Sequence, residues 1–238
     1  MNIALLTASG VGTRTGQDIP KQFIHVDNKP IIIYTLEAFQ NSPEIDEICV
    51  VILKGWEEML NAYAKQFNIS KLKYVVNGGK TGQESIFNGL REIRKHRNDK
   101  DVVLIHDGNR PLVSEEIIED SLKTFREHGN AVTAIPCTEV VFNVEGKNDD
   151  YAISSIDRDY LKRTQTPHTY ELGDIIDIHK RANEKGITNT AASCELMRLF
   201  GRESYFSMGS EKNLKITTTD DLEIFRALLH SKNDSWIK

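Results

Sequence analysis

The sequence predicts an α/β fold with a mostly parallel central sheet and helices on both of its faces. Three observations lead to this prediction. Short apolar runs alternate with longer segments whose apolar residues recur at helical spacing through the first half of the chain. The chain shows no internal repeat and no linker that would divide it. A pair of short strand-like runs then breaks the alternation. The pattern is typical of successive β-α-β units that build a single domain over residues 1–238.

The first strand and the segments that follow it can be placed in order. Buried strands are predicted at Ile3–Leu6, Ile48–Leu53, Tyr74–Val76, Val102–Ile105 and Ala131–Ile135. Helices are predicted between them at Ile31–Phe39, Trp56–Phe67, Ser85–Ile93 and Glu115–Phe125. Thr81 or Ser85 suits the start of the third helix, and Ser114 followed by two glutamates suits the start of the fourth.

Residues 138–160 interrupt this rhythm. Val140–Val144 and Tyr151–Ser154 flank a turn that contains Gly146, Asn148 and two aspartates, which predicts a β-hairpin. Because a lone hairpin has too little core to be stable, we expect an arm that packs on a second subunit of a homodimer. A hairpin folded flat on its own domain is the alternative. The last elements are predicted as helices at Leu172–Ala182 and Leu222–Leu229 and as short strands at Tyr205–Met208 and Leu214–Ile216.

Composition excludes several classes of protein. The 238 residues are 39% hydrophobic and 27% charged, which is ordinary for a globular protein with a sizeable core. The net charge of −5 argues against a general nucleic-acid binder. Cys49, Cys137 and Cys194 are too few and too scattered for a disulfide framework or a zinc site. With no predicted membrane span or targeting segment, we expect a cytoplasmic enzyme.

The loop after the first strand is the strongest sequence signal. Its glycines, within Ser9–Arg14, let backbone N–H groups approach an anion closely. Arg14 and Lys21 add two permanent positive charges, as a nucleotide triphosphate requires. The spacing fits neither a P-loop nor a dinucleotide-binding turn, so the segment from Thr13 to Lys21 is interpreted as a long phosphate-wrapping loop. A tight turn with two solvated basic side chains is the alternative.

Four further segments carry candidate chemistry. The first is Asn77–Ser85, a glycine-rich loop that opens a helix, and the second is His106–Pro111, in which a carboxylate at a strand end suits Mg²⁺ bound to a nucleotide. The third combines Asp157–Asp159 with Arg163–His168, which suit phosphate binding. The fourth is Asn213–Thr217, which has a lysine in an apolar run. Arg110 has the alternative of a purely structural pairing with Asp107, and His106 is interpreted as a buried structural histidine.

Taken in order, these motifs resemble those of the sugar-alcohol-phosphate cytidylyltransferases over nearly the whole chain. The carrying segments are Leu6–Arg14 with Pro20–Phe23, then His106–Pro111, Thr166–His168 and Asn213–Thr217. The resemblance implies a Rossmann-like nucleotidyltransferase domain that transfers a cytidylyl group from CTP to a polyol phosphate, with Mg²⁺ as cofactor. Among acceptors it favours ribitol 5-phosphate, then methylerythritol 4-phosphate, then another pentitol or glycerol phosphate.

The resemblance also implies residue roles. The catalytic cations are Arg14, Lys21 and Lys215. The nucleotide-binding residues are Ala8, Ser9, Gly10, Gly12, Gly79, Ser85, Asp107 and Arg110. The acceptor-binding residues are Asp107, Thr166 and, from the neighbouring subunit's arm, Arg158. Asp107 is also placed near the metal.

The chain departs from the family's usual pattern at several places. Gly82 replaces a common arginine, Glu139-Val140 replaces Asp-Thr, Gly108-Asn109 replaces two alanines, His168 replaces a glutamine, and residues 188–193 lack acidic side chains. Two rival functions follow. A nucleotide-sugar glycosyltransferase would use Asp157-Arg158-Asp159 as a metal motif, and a non-catalytic nucleotide-binding protein would have lost the acceptor site. Pyrophosphate release from CTP separates them from a cytidylyltransferase.

Overall fold

The fold is organised around its first strand, β1 (Asn2–Ala8), which has neighbours on both sides. The computed structural model describes residues 1–10 and 19–231. Ala4 and Leu6 of β1 pack into the core on one face of the sheet, whereas Ile3 and Leu5 pack into the core on the other. Because both faces are covered, the strand has a continuous apolar sequence rather than an alternating one.

The remaining elements follow in chain order. They are β2 (His25–Val26), β3 (Lys29–Pro30), α1 (Ile31–Asn41), β4 (Glu47–Ile52), α2 (Glu57–Gln66), β5 (Leu72–Asn77), α3 (Gly82–Arg94), β6 (Val102–Asp107), α4 (Glu115–His128), β7 (Asn130–Pro136), β8 (Val141–Asn143), β9 (Ser154–Ile156), β10 (Lys162–Glu171), α5 (Leu172–Glu184), α6 (Ser193–Leu199), β11 (Phe206–Met208) and α7 (Thr219–His230).

Seven strands form the central sheet in the order β11-β7-β10-β6-β1-β4-β5. β10 runs antiparallel to both of its neighbours, β6 and β7, and the other described pairings in this sheet are parallel. Side chains of α1, α2 and α4 cover one face, and those of α3, α5 and α6 cover the other. The predicted α/β class, with a mostly parallel sheet between two layers of helices, is confirmed.

Local capping chemistry sets the start of α3. The Thr81 hydroxyl oxygen accepts a hydrogen bond from the Glu84 N–H at 3.1 Å and so caps α3, which begins at Gly82. α4 begins at Glu115, directly after Ser114. Among the described helices, none is long and apolar enough to cross a membrane.

The predicted hairpin is present as β8 and β9, which pair with each other outside the main sheet, although β9 lies at Ser154–Ile156 rather than at the predicted Tyr151–Ser154. We call residues 138–160 the arm. Five apolar side chains of the arm are more than half exposed, namely Val140, Phe142, Tyr151, Ile153 and Tyr160. Exposed apolar groups in such number are typical of surfaces that meet another molecule. That this molecule is a second subunit stays a prediction.

Three further segments of the second half differ from the sequence prediction. Leu214–Ile216, predicted as a strand, belongs to no strand, because Ile216 directs its backbone N–H and C=O to Asn109 instead of to a sheet neighbour. β10 and the seven-residue α6 were not predicted. β10 escaped because its buried positions include polar residues, among them Gln165, His168 and Thr169.

Candidate active site

A cleft of about 650 Å³ opens at the carboxyl ends of β1 and β6 and the start of α3. Ligands bind at this edge of open α/β sheets because loops from neighbouring strands meet there. Ten of the sequence-predicted site residues line it: Ala8, Ser9, Gly10, Lys21, Gly79, Ser85, Asp107, Arg110, Thr166 and Lys215.

The phosphate-wrapping loop is described only at its two ends. Ala8, Ser9 and Gly10 leave β1 into the cleft, and Lys21 returns to it in a short 3₁₀ turn. Arg14 and Gly12 lie outside the described residues. Sequence reasoning missed the role of Gln22, a fully buried side chain whose amide donates to the Ala8 carbonyl at 2.7 Å. This bond ties the two ends of the loop together, which fixes the position of Lys21.

Ser85 joins the first loop to the glycine-rich loop. Its hydroxyl oxygen accepts from the Ser9 hydroxyl and from the Gly79 N–H, both at 3.0 Å, and donates to the Thr81 carbonyl at 2.9 Å. The two loops approach so closely that a Cβ on Gly78 would lie 2.3 Å from the Cβ of Ser9. Only glycine therefore fits at position 78 without a shift of one loop.

Charged groups converge on Asp107 at the end of β6. One carboxylate oxygen lies 2.9 Å from Lys215 Nζ and the other lies 2.9 Å from Arg110 Nε. Burial by itself would raise the pKa of Asp107, but the positive charges of Lys215 and Arg110 outweigh it and hold the pKa below its usual value. The structural pairing considered for Arg110 is thus present, and it lies inside the cleft. Lys215, from the far end of the chain, points into the cleft as well.

Thr166 and His106 form a hydrogen-bonded chain that begins at the backbone of Asp107. The Thr166 hydroxyl oxygen accepts from the Asp107 N–H at 3.0 Å and lies 3.0 Å from His106 Nδ1. His106 Nε2 lies 3.2 Å from the Arg110 carbonyl, which only accepts, so Nε2 carries the hydrogen. Burial lowers the pKa of His106 to about 4, so the ring is neutral and Nδ1 accepts from Thr166. The expected burial of His106 is confirmed, and its purely structural role stays a prediction.

This network has a consequence for Thr166. Its hydroxyl hydrogen is already donated to His106, so donation to an acceptor phosphate requires that bond to be exchanged. The predicted acceptor contact of Thr166 stays a prediction.

The segment that carries Lys215 is held by side chains rather than by a strand. Arg110 Nη1 donates to the Asn213 carbonyl at 2.6 Å, and the fully buried Asn213 amide donates to the Thr166 carbonyl at 2.9 Å. Sequence reasoning quoted Asn213 in a motif without assigning this role.

Three departures from the family pattern meet in one wall of the cleft. The first turn of α3, at Gly82, is tied to residues 187–190 because Thr81 donates to the Thr188 carbonyl and Gln83 bonds to the backbone of Ile187 and Thr190. His168 lies in the same wall. Residues 82, 168 and 187–193, distant in sequence, therefore lie at the same part of the cleft.

Two buried imidazoles line this wall. His168 Nδ1 lies 2.8 Å from the Ser193 hydroxyl, and His168 Nε2 has no hydrogen-bond partner within the described chain. His179 stacks on Phe87 at 5.2 Å between ring centroids, with neither ring nitrogen bonded to a described residue. Burial lowers the pKa of both histidines to about 4, so both rings are neutral.

Arg158 does not reach the cleft of its own chain. It belongs to the arm, where its guanidinium donates to the Thr138 carbonyl at 2.8 Å. Its predicted contact with the acceptor in a neighbouring subunit stays a prediction.

Metal-binding capacity in the cleft rests on Asp107. Over residues 1–10 and 19–231, no three His, Cys, Asp or Glu side chains cluster in a way that would hold a metal ion. Mg²⁺ in nucleotide sites usually takes one or two carboxylates and completes its shell with phosphate oxygens and water, so one aspartate at the strand end fits a metal that arrives with a nucleotide.

The comparisons with known proteins agree with this geometry. The profile of the family IspD, 2-C-methyl-D-erythritol 4-phosphate cytidylyltransferase, matches residues 2–231. The chain belongs to this family. Its members are cytidylyltransferases, a class of nucleotidyltransferase enzymes, so the predicted enzyme class is confirmed.

Individual relatives match along their whole length. The chain is 41% identical to the ribitol-5-phosphate cytidylyltransferase of Lacticaseibacillus paracasei, over 98% of this chain and 99% of that one. It is 33% identical to the 2-C-methyl-D-erythritol 4-phosphate cytidylyltransferase of Clostridium novyi, over 97% of each. The crystal structure of 4-diphosphocytidyl-2C-methyl-D-erythritol synthase from Anaerococcus prevotii superimposes with a TM-score of 0.82 at 27% identity, over 97% of this chain and 96% of that one.

Proposed function

We propose that this protein is a ribitol 5-phosphate cytidylyltransferase, which converts CTP and ribitol 5-phosphate to CDP-ribitol and pyrophosphate. The choice of ribitol 5-phosphate as the acceptor rests on sequence identity over the full length of the chain. Relatives named for ribitol 5-phosphate are 40–41% identical to the chain, against 33–35% for those named for methylerythritol 4-phosphate. Methylerythritol 4-phosphate is the second candidate, supported by the family profile.

The proposed reaction needs positive charge more than it needs a base. An oxygen of the acceptor phosphate attacks the α-phosphorus of CTP in line, a new P–O bond forms, and the bond to the β-phosphate oxygen breaks to release pyrophosphate. The attacking oxygen is already anionic near neutral pH. Lys21 and Lys215 line the cleft, where they would bring the two anions together and stabilise charge on the α-phosphate. Arg14 is proposed as the third cation.

Asp107 is proposed to hold Mg²⁺ together with the nucleotide phosphates. The metal, when bound, would neutralise phosphate charge and orient the triphosphate. In the structure both Asp107 oxygens are paired with cations, Lys215 and Arg110. We infer that Asp107 keeps Lys215 extended into the cleft, and that the same carboxylate would hold the metal.

Base recognition is assigned to the glycine-rich loop. Gly79 and Ser85 lie beside Ser9 and Gly10 in the cleft, and their backbone and hydroxyl groups suit the polar edge of a cytosine.

The whole chain is proposed to act as one catalytic domain that works as a homodimer in the cytoplasm. The exposed apolar side chains of the arm support the dimer, and Arg158 on the same arm would then reach the partner's cleft. All three cysteines are free thiols, as is common in reducing compartments.

The test is pyrophosphate release from CTP and Mg²⁺ with ribitol 5-phosphate, methylerythritol 4-phosphate or glycerol 3-phosphate, each in a separate reaction. We expect the highest kcat/KM with ribitol 5-phosphate. Turnover with methylerythritol 4-phosphate alone would overturn the assignment of ribitol 5-phosphate as the acceptor. Pyrophosphate release with UTP but not with CTP would overturn the assignment of cytosine as the base. CTP binding without turnover on any acceptor would favour the non-catalytic alternative.

Two matched lysine variants test the mechanism. Lys21→Ala should lower kcat by about 10²–10³-fold, by analogy with the loss of an oxyanion-stabilising donor. Lys100→Ala removes a lysine that pairs with Glu171 on the surface and should leave turnover unchanged. Normal turnover by Lys21→Ala would refute the electrostatic mechanism.

A further inference from the structure

Asn109 lies in the loop after β6, between Asp107 and Arg110, and both of these residues hold the segment that carries Lys215. Asp107 binds Lys215 Nζ, and Arg110 binds the carbonyl of Asn213. Asn109 itself is buried, with 6% of its surface exposed.

The contacts of Asn109 go to the neighbour of Lys215. The Asn109 carbonyl accepts from the Ile216 N–H at 2.9 Å, and the Asn109 side-chain amide donates to the Ile216 carbonyl. Both backbone polar groups of Ile216 are therefore satisfied by one residue. Since Leu214–Ile216 is part of no strand, it has no sheet neighbour to take over these bonds.

The loop that carries Asn109 and the side chain of Ile216 are each held by further contacts. The Gly108 carbonyl, next to Asn109, accepts from the buried Thr35 hydroxyl of α1 at 2.9 Å. The Ile216 side chain is fully buried in a cluster with Ile31 and Phe225. Asn109 thus connects a rigid loop to the backbone of the residue that follows Lys215. Without this connection, the position of Lys215 Nζ would vary with the motion of the segment as well as with that of its own side chain.

We propose that Asn109 is a positioning residue for Lys215, and that its amide sets the Lys215 backbone where Nζ reaches the reacting phosphate. This rests on the proposed role of Lys215. Without the amide, the buried Ile216 carbonyl loses its partner, and the segment shifts to find another. A displacement of about 1 Å in a catalytic group can cost about 10²-fold in rate.

The test is a double-mutant cycle of Asn109→Ala and Lys215→Met, measured as kcat and as KM for CTP. We expect Asn109→Ala alone to lower kcat by about 10–10²-fold with little change in KM, and to have almost no further effect in the Lys215→Met background. A loss that multiplies in the Lys215→Met background would overturn the proposal, because Asn109 would then act independently of Lys215. Wild-type kcat in Asn109→Ala would overturn it too.

A control and a second readout separate this idea from the proposed function. Asn130→Ala removes a similar bond, from an asparagine amide to the Glu203 carbonyl at 2.9 Å, away from the cleft, and should leave kcat unchanged. Hydrogen–deuterium exchange of a peptide covering residues 210–218 needs no turnover. Asn109→Ala should speed exchange there even if no acceptor is found for the wild type, and unchanged exchange would refute the positioning role.

Discussion

Replacing His179 by phenylalanine should make the protein less sensitive to acid. His179 lies on α5, is almost completely buried, and stacks parallel to Phe87. Burial lowers its pKa from 6.5 to about 4. Because the unfolded chain binds the proton more readily than the folded one, this histidine costs nothing well above pH 6.5, and stability is lost as the pH falls from 6.5 towards 4.

The magnitude follows from the two pKa values. With 6.5 in the unfolded chain and about 4 in the folded protein, His179 lowers the free energy of unfolding by about 2 kcal/mol between pH 7 and pH 5. His106 and His168 have the same folded pKa, so each adds a similar loss to the wild type. Phenylalanine cannot be protonated and leaves no buried nitrogen without a partner, so His179→Phe should be at least as stable at pH 7.

Urea unfolding at pH 7, 6 and 5, followed by circular dichroism, measures the effect. The drop in unfolding free energy from pH 7 to pH 5 should be about 2 kcal/mol smaller in His179→Phe than in the wild type. His25→Gln is the matched control, since His25 is exposed, and it should keep the wild-type drop. An equal drop in His179→Phe and wild type would refute the reasoning, because His179 would then be hydrated in the folded state.

Three further predictions test the loops and the arm. Gly78→Ala should destabilise the protein by about 1–3 kcal/mol and weaken CTP binding, because the added Cβ would meet Ser9. Gly82→Ala places its Cβ in open space and should raise stability by about 0.5–1 kcal/mol. Thermal unfolding and CTP titration distinguish the two variants, and equal effects would contradict the close approach of the loops. Thr81→Ala should cost about 1 kcal/mol in thermal unfolding through loss of the α3 cap, which Thr81→Ser should restore; a full loss in Thr81→Ser would argue against the cap. Phe142→Asp should yield monomers in sedimentation velocity and lose turnover, whereas the exposed Lys147→Ala on the same arm should do neither; a stable Phe142→Asp dimer would exclude the arm as the interface.

The first half of the fold was predictable because its residues obey local rules. β1 and β4 are continuous apolar runs since helices cover both of their faces, and Thr81 marks the start of α3 by its capping chemistry. The second half followed those rules less well. β10 places Gln165 and Thr169 in buried positions, where partners distant in sequence satisfy them: the backbone of Ser210 for Gln165 and the hydroxyl of Ser121 for Thr169.

For the site, the sequence by itself determined the chemistry: a glycine loop with Lys21, a carboxylate at Asp107 and a lysine at Lys215 belong to a nucleotide-binding cleft. These residues are recognisable from type and order because phosphate chemistry demands fixed cations and close backbone approach. Only the tertiary structure decided how they are arranged. It pairs Lys215 with Asp107 across more than a hundred residues, engages the Thr166 hydroxyl with His106, and ties Ile216 to Asn109. Such contacts depend on which chain segments meet in space, and no local sequence preference specifies them.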